Sequence, residues 1–249
     1  MTAAAPLLLS GAILAAPALA ADNSGNQAAN PGSPAATTGT GGNAAPNQND
    51  AKQSQSAKQD AQKLVEAALK EVQTMQNDPK LKELMGKAKG IYLVPNFGRG
   101  AFVVGGRGGA GVVLAHTNGQ WTDPAFYDFG AISLGAQAGG AGGPIAFLLM
   151  SQGAVDAFRN TNNFSLNAEG GLSIVTYSTN AQTSWGKGDI ILWSNTKGAY
   201  AGASVSVSDI VWDGGKNQAY YGKTVQPMDI LAGKVGSPDA AQLKNALPG

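Results

Sequence analysis

The sequence predicts an α+β fold: a mostly antiparallel β-sheet or barrel-like sandwich with packed N-terminal and C-terminal helices. Three observations predict it. Apolar residues recur at helical spacing between Ala57 and Gln76. After Gly90 the chain becomes a series of short runs rich in β-branched and aromatic residues, separated by Gly, Asn, Asp and Pro. Helix-start signals then return at Ser151, Pro227 and Ser237.

The first helix carries Ala57, Ala61, Leu64, Val65, Ala68, Leu69, Val72 and Met75 on one face. Lys63, Glu66 and Lys70 fall nearly opposite the middle of that stripe, so the helix is expected to pack on the sheet rather than enter a membrane. A second helix is expected from Asp78 as N-cap and Pro79 as first residue, with Leu81, Leu84, Met85 and Ala88 facing inward and Gly90 ending it. The runs IYLVP, AFVVGG, GVVLA, AISLGAQ, IAFLLM, LSIVTY, DIILWS, AYAGASVSVSDIVW and QAYYG then read as strands, and GGRGGAG as the tight turn of a hairpin. Between them SQGAVDAFRN reads as a helix capped by Ser151, with Val155 and Phe158 inward. Pro227 opens another with Met228, Ile230 and Leu231, and Ser237 with Pro238 opens a last short one.

Ahead of this domain the chain is of a different kind. Residues 1–20 hold an apolar run from Pro6 to Leu19 and small residues at Ala18 and Ala20, the pattern of a secretory signal cleaved after Ala20. Residues 21–56 read as a low-complexity linker, because 22–56 contain no aromatic residue and no Leu, Ile, Val or Met. The folded domain is expected over 57–249, in a secreted or periplasmic protein lying peripherally on the cell envelope. With no cysteine, neither a disulfide framework nor a cysteine-borne lipid anchor is expected.

Several catalytic motifs fail on context. Gly106, Gly108 and Gly111 have GxGxxG spacing, but a dinucleotide fingerprint needs a helix behind its glycines, and here VVLAH reads as a strand. Asp128, Phe129 and Gly130 spell the kinase DFG, yet no Lys stands between Lys89 and Lys187 and the one His, His116, belongs to no HRD loop. Nucleotide binding is therefore not expected. A hydrolase would have to use His116 with a Ser and an Asp supplied by folding, and no GxSxG elbow is present. The carboxylates are scattered without zinc or calcium spacing, so neither metal nor cofactor is expected.

Charge is more informative. The net charge of +1 gives no reason to expect nucleic acid, but eight of the 17 basic residues lie between Lys52 and Lys89. On the second helix Lys80, Lys82, Lys87 and Lys89 outnumber Glu83. Each lysine near an anionic lipid surface adds about 1 kcal/mol. Glycine-rich strands, including Gly135, Gly139, Gly140, Gly142 and Gly143, either let another backbone approach or leave a groove. Such a groove, with Trp121, Phe126 and Tyr127 as aromatic neighbours and Arg99 or Arg107 as cations, would suit a phospholipid.

The ordered succession AKGIYLVP, GAFVVGG, GVVLA, WTDPAF and GAISLGAQAG resembles the SYLF lipid-binding domain family. It is carried by Ala88, Lys89, Gly90, Ile91, Pro95, Gly100, Phe102 to Gly106, Gly111, Trp121, Pro124, Phe126, Gly130, Ser133, Gly135, Gln137 and Gly139, followed by Ala154, Val155 and Phe158. Eukaryotic members of that family bind phosphoinositides beside SH3 or FYVE modules. Its bacterial members are typically single domains behind a signal peptide. The resemblance implies a non-catalytic module for an anionic, phosphoinositide-like phospholipid or a membrane surface. The alternative is a structural or protein-interaction protein of the cell envelope, and a hydrolase built on His116 is the third reading.

Overall fold

The computed structural model describes residues 48–99, 107–134, 143–166, 171–177, 188–195 and 205–249. The expected leader, most of the linker and Gly135 to Gly142 lie outside these. Helix α1 (Gln48–Met75) begins nine residues before the apolar stripe does. Its first two turns, QNDAKQSQ, hold three Gln and lack Gly and Pro, so the helix continues there, and residues 51–56 are exposed. Burial starts at Ala61 and proceeds through Leu64, Val65, Ala68, Val72 and Met75.

Helix α2 (Pro79–Lys87) follows the expected signals. The Asp78 carboxylate accepts hydrogen bonds from the amides of Lys80 and Leu81, and Leu81, Leu84 and Met85 are buried. Gly90, expected to end this helix, instead opens strand β1 (Gly90–Arg99). The reason is steric. A Cβ there would meet the Leu114 carbonyl at 3.0 Å and the Val155 and Leu149 side chains at 3.1 and 3.2 Å.

The remaining strands are β2 (Arg107–Thr117), β3 (Gln120–Trp121), β4 (Ala125–Leu134), β5 (Gly143–Leu149), β6 (Asn163–Leu166), β7 (Ile174–Thr176), β8 (Ile190–Ser194) and β9 (Val205–Trp212). Among the described residues they form one sheet in the order β6-β9-β4-β2-β1-β5-β8-β7, with β3 paired to β2. Every pairing is antiparallel except that of β7 with β8. Although β7 and β9 lie near opposite ends of that order they touch, so the sheet curls into a half-barrel.

Helices cover both faces. On one face Ile91, Leu93, Val112, Leu114, Phe126, Ala146, Leu148 and Trp193 pack under α1, α2 and α6 (Ala241–Ala246). On the other, Tyr92, Val113, Tyr127, Phe129, Phe147 and Leu192 pack with α3 (Gln152–Asn160) and α5 (Pro227–Leu231). A strand buried on both faces needs no polar alternation, which is why IYLV and IAFLL read as unbroken apolar runs. IAFLLM lines the interior as expected, with Ile145 to Leu149 buried.

Three local expectations change. GGRGGAG is not a turn in its second half, because β2 already runs from Arg107. QAYYG is not a strand; it belongs to helix α4 (Gly214–Tyr221), fixed by the Asp213 cap at one end and Gly222 at φ 67 at the other. These caps override the strand preference of Tyr220 and Tyr221. Strands β3 and β6 were not expected; at two and four residues they are too short for a pattern to declare itself.

Candidate functional site

The three aromatics expected to share a lipid groove do not form one cluster. Phe126 and Tyr127 are consecutive on β4 and therefore point to opposite faces, each into a different core. Tyr127 donates to the Phe158 carbonyl at 2.5 Å, with its ring edge-on to Phe158 and Trp212. Trp121 is 5% exposed, stacks on His116 with ring centroids 4.9 Å apart, and donates to the Pro248 carbonyl at 2.8 Å.

WTDPAF is instead the place where the C-terminal segment is fastened. Thr122 Oγ1 accepts from the Ala115 amide at 3.0 Å, and the Asp123 carboxylate accepts from the Ser237 amide and Lys244 Nζ, each at 2.7 Å. The Tyr221 hydroxyl donates to the Pro124 carbonyl at 2.7 Å. Asn217, fully buried on α4, donates to the Phe126 carbonyl and accepts from its amide, at 2.8 and 3.1 Å. Sequence reasoning found the motif but not its partners. The partners lie about a hundred residues away, on segments with no spacing that points back.

Among the described residues the sheet face that carries Tyr92 is packed with aromatic rings. Tyr92 packs against Phe129, Phe147 and Phe158 at centroid distances of 6.3, 5.9 and 5.1 Å, and Phe158 against Phe164 at 4.8 Å. The glycines of β2 belong to this packing. A Cβ on Gly111 would lie 2.5 Å from the Tyr92 ring and 2.7 Å from the Leu93 carbonyl, and one on Gly109 2.6 Å from the Asn96 carbonyl. Gly111 is followed by strand and launches no helix, so the GxGxxG spacing presents no helix N-terminus to a phosphate. Within DFG, Phe129 is core and Gly130 leaves room for Asp209, which takes φ 58 in mid-strand; a Cβ on Gly130 would stand 2.4 Å from that of Asp209.

His116 has a buried Nε2 with no hydrogen-bond partner among the described residues, and its ring lies on Trp121. Among the described residues no Ser hydroxyl donates to that nitrogen, as a triad would require. Among the described residues no group of three His, Cys, Asp or Glu side chains stands close enough to hold a metal ion.

The expected lysines remain on the outside. Lys80, Lys82, Lys87 and Lys89 are all exposed, Lys87 pairing with Glu83. At about 100° per residue, Lys80 and Lys87 lie on one flank of the buried arc of α2 and Lys82 on the other. Arg99 and Arg107 are cross-strand neighbours at the far end of β1 and β2. That end is about 30 Å from Lys89 at about 3.3 Å per residue, so the lysines and the arginine pair are two places, not one.

Asp78 adds a tie between α2 and the sheet, accepting from the Tyr177 hydroxyl at 2.6 Å. Burial alone would raise its pKa, but the Tyr177 hydroxyl and the amides of Leu81 and Lys80 outweigh that and hold it below the ordinary carboxylate value. Glu71 was not expected in the core. It stands three residues after Ala68 and four before Met75, at the edge of the apolar arc, and this spacing was the available signal.

Among the described residues, aromatic rings pack on one face of the sheet and the lysines of the second helix are exposed. Residues 130–248 match the model of the Ysc84 (SYLF) family, described as Las17-binding protein actin regulator. The chain is similar to LAS seventeen-binding protein 3 of Saccharomyces cerevisiae, 29% identical over 64% of this chain and 36% of the relative. Protein YSC84 of the same yeast is 30% identical over 64% of this chain and 35% of its own. SH3 domain-containing YSC84-like protein 1 of Mus musculus is 25% identical over 64% and 48%. The chain thus spans between about a third and a half of the length of these relatives. The relatives are named for binding and for their domains, not as enzymes. No solved structure matches the chain.

Proposed function

We propose that this domain is a non-catalytic module that adheres to anionic phospholipid surfaces of the cell envelope. The observation that carries this reading is the exposure of Lys80, Lys82, Lys87 and Lys89 within one short helix and the residues after it, where the lysines outnumber the acidic Glu83 and the capping Asp78. Arg99 and Arg107 provide a second cationic place at the other end of β1. Because the sheet face that carries Tyr92 is packed with Phe129, Phe147 and Phe158, the lipid is met at its headgroup rather than enclosed by its chains. No helix among the described residues is long and apolar enough to cross a membrane, which agrees with peripheral adhesion. Trp121, Phe126 and Tyr127 support the surface from within.

Flotation tests this reading. Recovery with phosphatidylserine vesicles at low salt, falling as salt is raised, is expected; no recovery with any vesicle composition would remove it. The proposed envelope location predicts a mature protein beginning at Ala21, which N-terminal sequencing of the secreted or periplasmic fraction reads directly.

A second reading, a protein-docking module, is favoured by the name of one yeast relative, LAS seventeen-binding protein 3, and by the description of the matching family model. Its mark would be binding to a protein partner that persists at high salt and without lipid.

A further inference from the structure

Among the described acidic side chains of α1, that of Glu71 alone is turned into the core. The residue is 4% exposed, and neither carboxylate oxygen has a hydrogen-bond partner among the described residues. Leu64, Ala68 and Met75 stand on its side of the helix, seven and three residues before it and four after, and α1 packs against β1, β2, α4 and α6. Removing a carboxylate from water with no donor to receive it costs several kcal/mol, and the group avoids this by keeping its proton. We propose that Glu71 is a pH-sensitive joint: α1 docks on the sheet with this carboxyl protonated, and ionisation loosens the docking.

Among the described residues no charged neighbour supplies a counter-ion. On α1 itself Asp60, Lys63, Glu66 and Lys70 are exposed, and Asp78 beyond it is bound to Tyr177. From α4, Lys216 is held by Asp213 and Asp128. From α6, Lys244 is held by Asp123, and Asp239 just before that helix accepts from Gln62. The titratable groups facing this layer from β2 and α4 are His116, stacked on Trp121, and Tyr220. Burial is the cause that acts on Glu71, and it raises the pKa well above the ordinary value.

The sign follows from which state holds the proton. A folded carboxyl that keeps its proton above the pKa of the unfolded one, about 4.3, makes folding weaken as pH rises between the two values, by up to about tenfold in the folding constant per pH unit. The experiment compares wild type with Glu71→Gln by denaturant unfolding at a series of pH values. The ratio of their folding constants should move against wild type as pH rises above about 5. A ratio independent of pH, or one moving in favour of wild type, would overturn the proposal.

A second measurement needs no variant. The chain has four glutamates, Glu66, Glu71, Glu83 and Glu169, so glutamate-specific carboxyl 13C labelling resolves them by NMR. One carboxyl should remain protonated well above the range in which the others titrate. Four ordinary titrations near about 4.3 would end the idea even if Glu71→Gln failed to fold.

Discussion

Asp123 holds Lys244 at 2.7 Å, joining the loop before β4 to the last helix across 121 residues of chain. The same carboxylate takes the Ser237 amide, and its side chain is 6% exposed against 32% for the lysine. The pair is thus a clasp whose acidic half is buried.

Asp123→Ala leaves the Ser237 amide and the Lys244 ammonium without their acceptor. It should lower unfolding stability by about 2–3 kcal/mol, the range for hydrogen bonds to a charged group. Lys244→Ala should cost less, because its ammonium is partly solvated. Denaturant melts of both variants and of the double variant give the coupling, and additive effects would show that the clasp is not a unit.

Gly111→Ala sets a packing role against a nucleotide role. The new methyl would collide with the buried Tyr92 ring and the Leu93 carbonyl, and a loss of about 1–3 kcal/mol is expected. A melt unchanged from wild type would mean that β2 can shift away from Tyr92.

Asp78→Ala removes the cap of α2 and the acceptor of the Tyr177 hydroxyl together. A loss of about 1–2 kcal/mol is expected from the cap. The depressed folded pKa sets the pH dependence. Its contribution is present above the unfolded value of about 3.9 and fades as pH falls through the lower folded value. Wild type and variant should therefore converge only in strong acid, which thermal melts at a series of acid pH values would check.

Trp121→Ala separates core from contact surface. The indole is stacked, hydrogen-bonded and nearly inaccessible, so a large stability loss, about 3–5 kcal/mol, is expected. The folded fraction should still bind vesicles as wild type does. Reduced vesicle affinity with normal stability would place Trp121 on the binding surface instead.

Much of the fold was legible because local and global preferences agree along most of the chain. The Asp78-Pro79 and Ser151 caps, the stripe of α1 and the run Ile145 to Leu149 each needed only neighbours within a turn or a strand to declare themselves. QAYYG failed because its identity is decided by Asp213 and Gly222 outside the run. The fastening of WTDPAF could not be read for a related reason. Asp123 finds Lys244, and Pro124 finds Tyr221, only after the sheet brings them together. Phe126 and Tyr127 were grouped by adjacency, whereas the pleat separates adjacent residues onto different faces. The lysines of α2 needed no tertiary information, since charge on a short amphipathic helix remains outside wherever the helix packs.

The most direct measurement is vesicle binding by wild type and by the variant in which Lys80, Lys82, Lys87 and Lys89 are all Gln. These side chains are exposed, so the variant should melt like wild type. At about 1 kcal/mol for each lysine near an anionic surface, the four together contribute up to about 4 kcal/mol. Binding of the variant to phosphatidylserine vesicles should therefore fall by two orders of magnitude or more, with a much flatter salt dependence. Equal affinity and equal salt dependence for the two proteins would contradict the account.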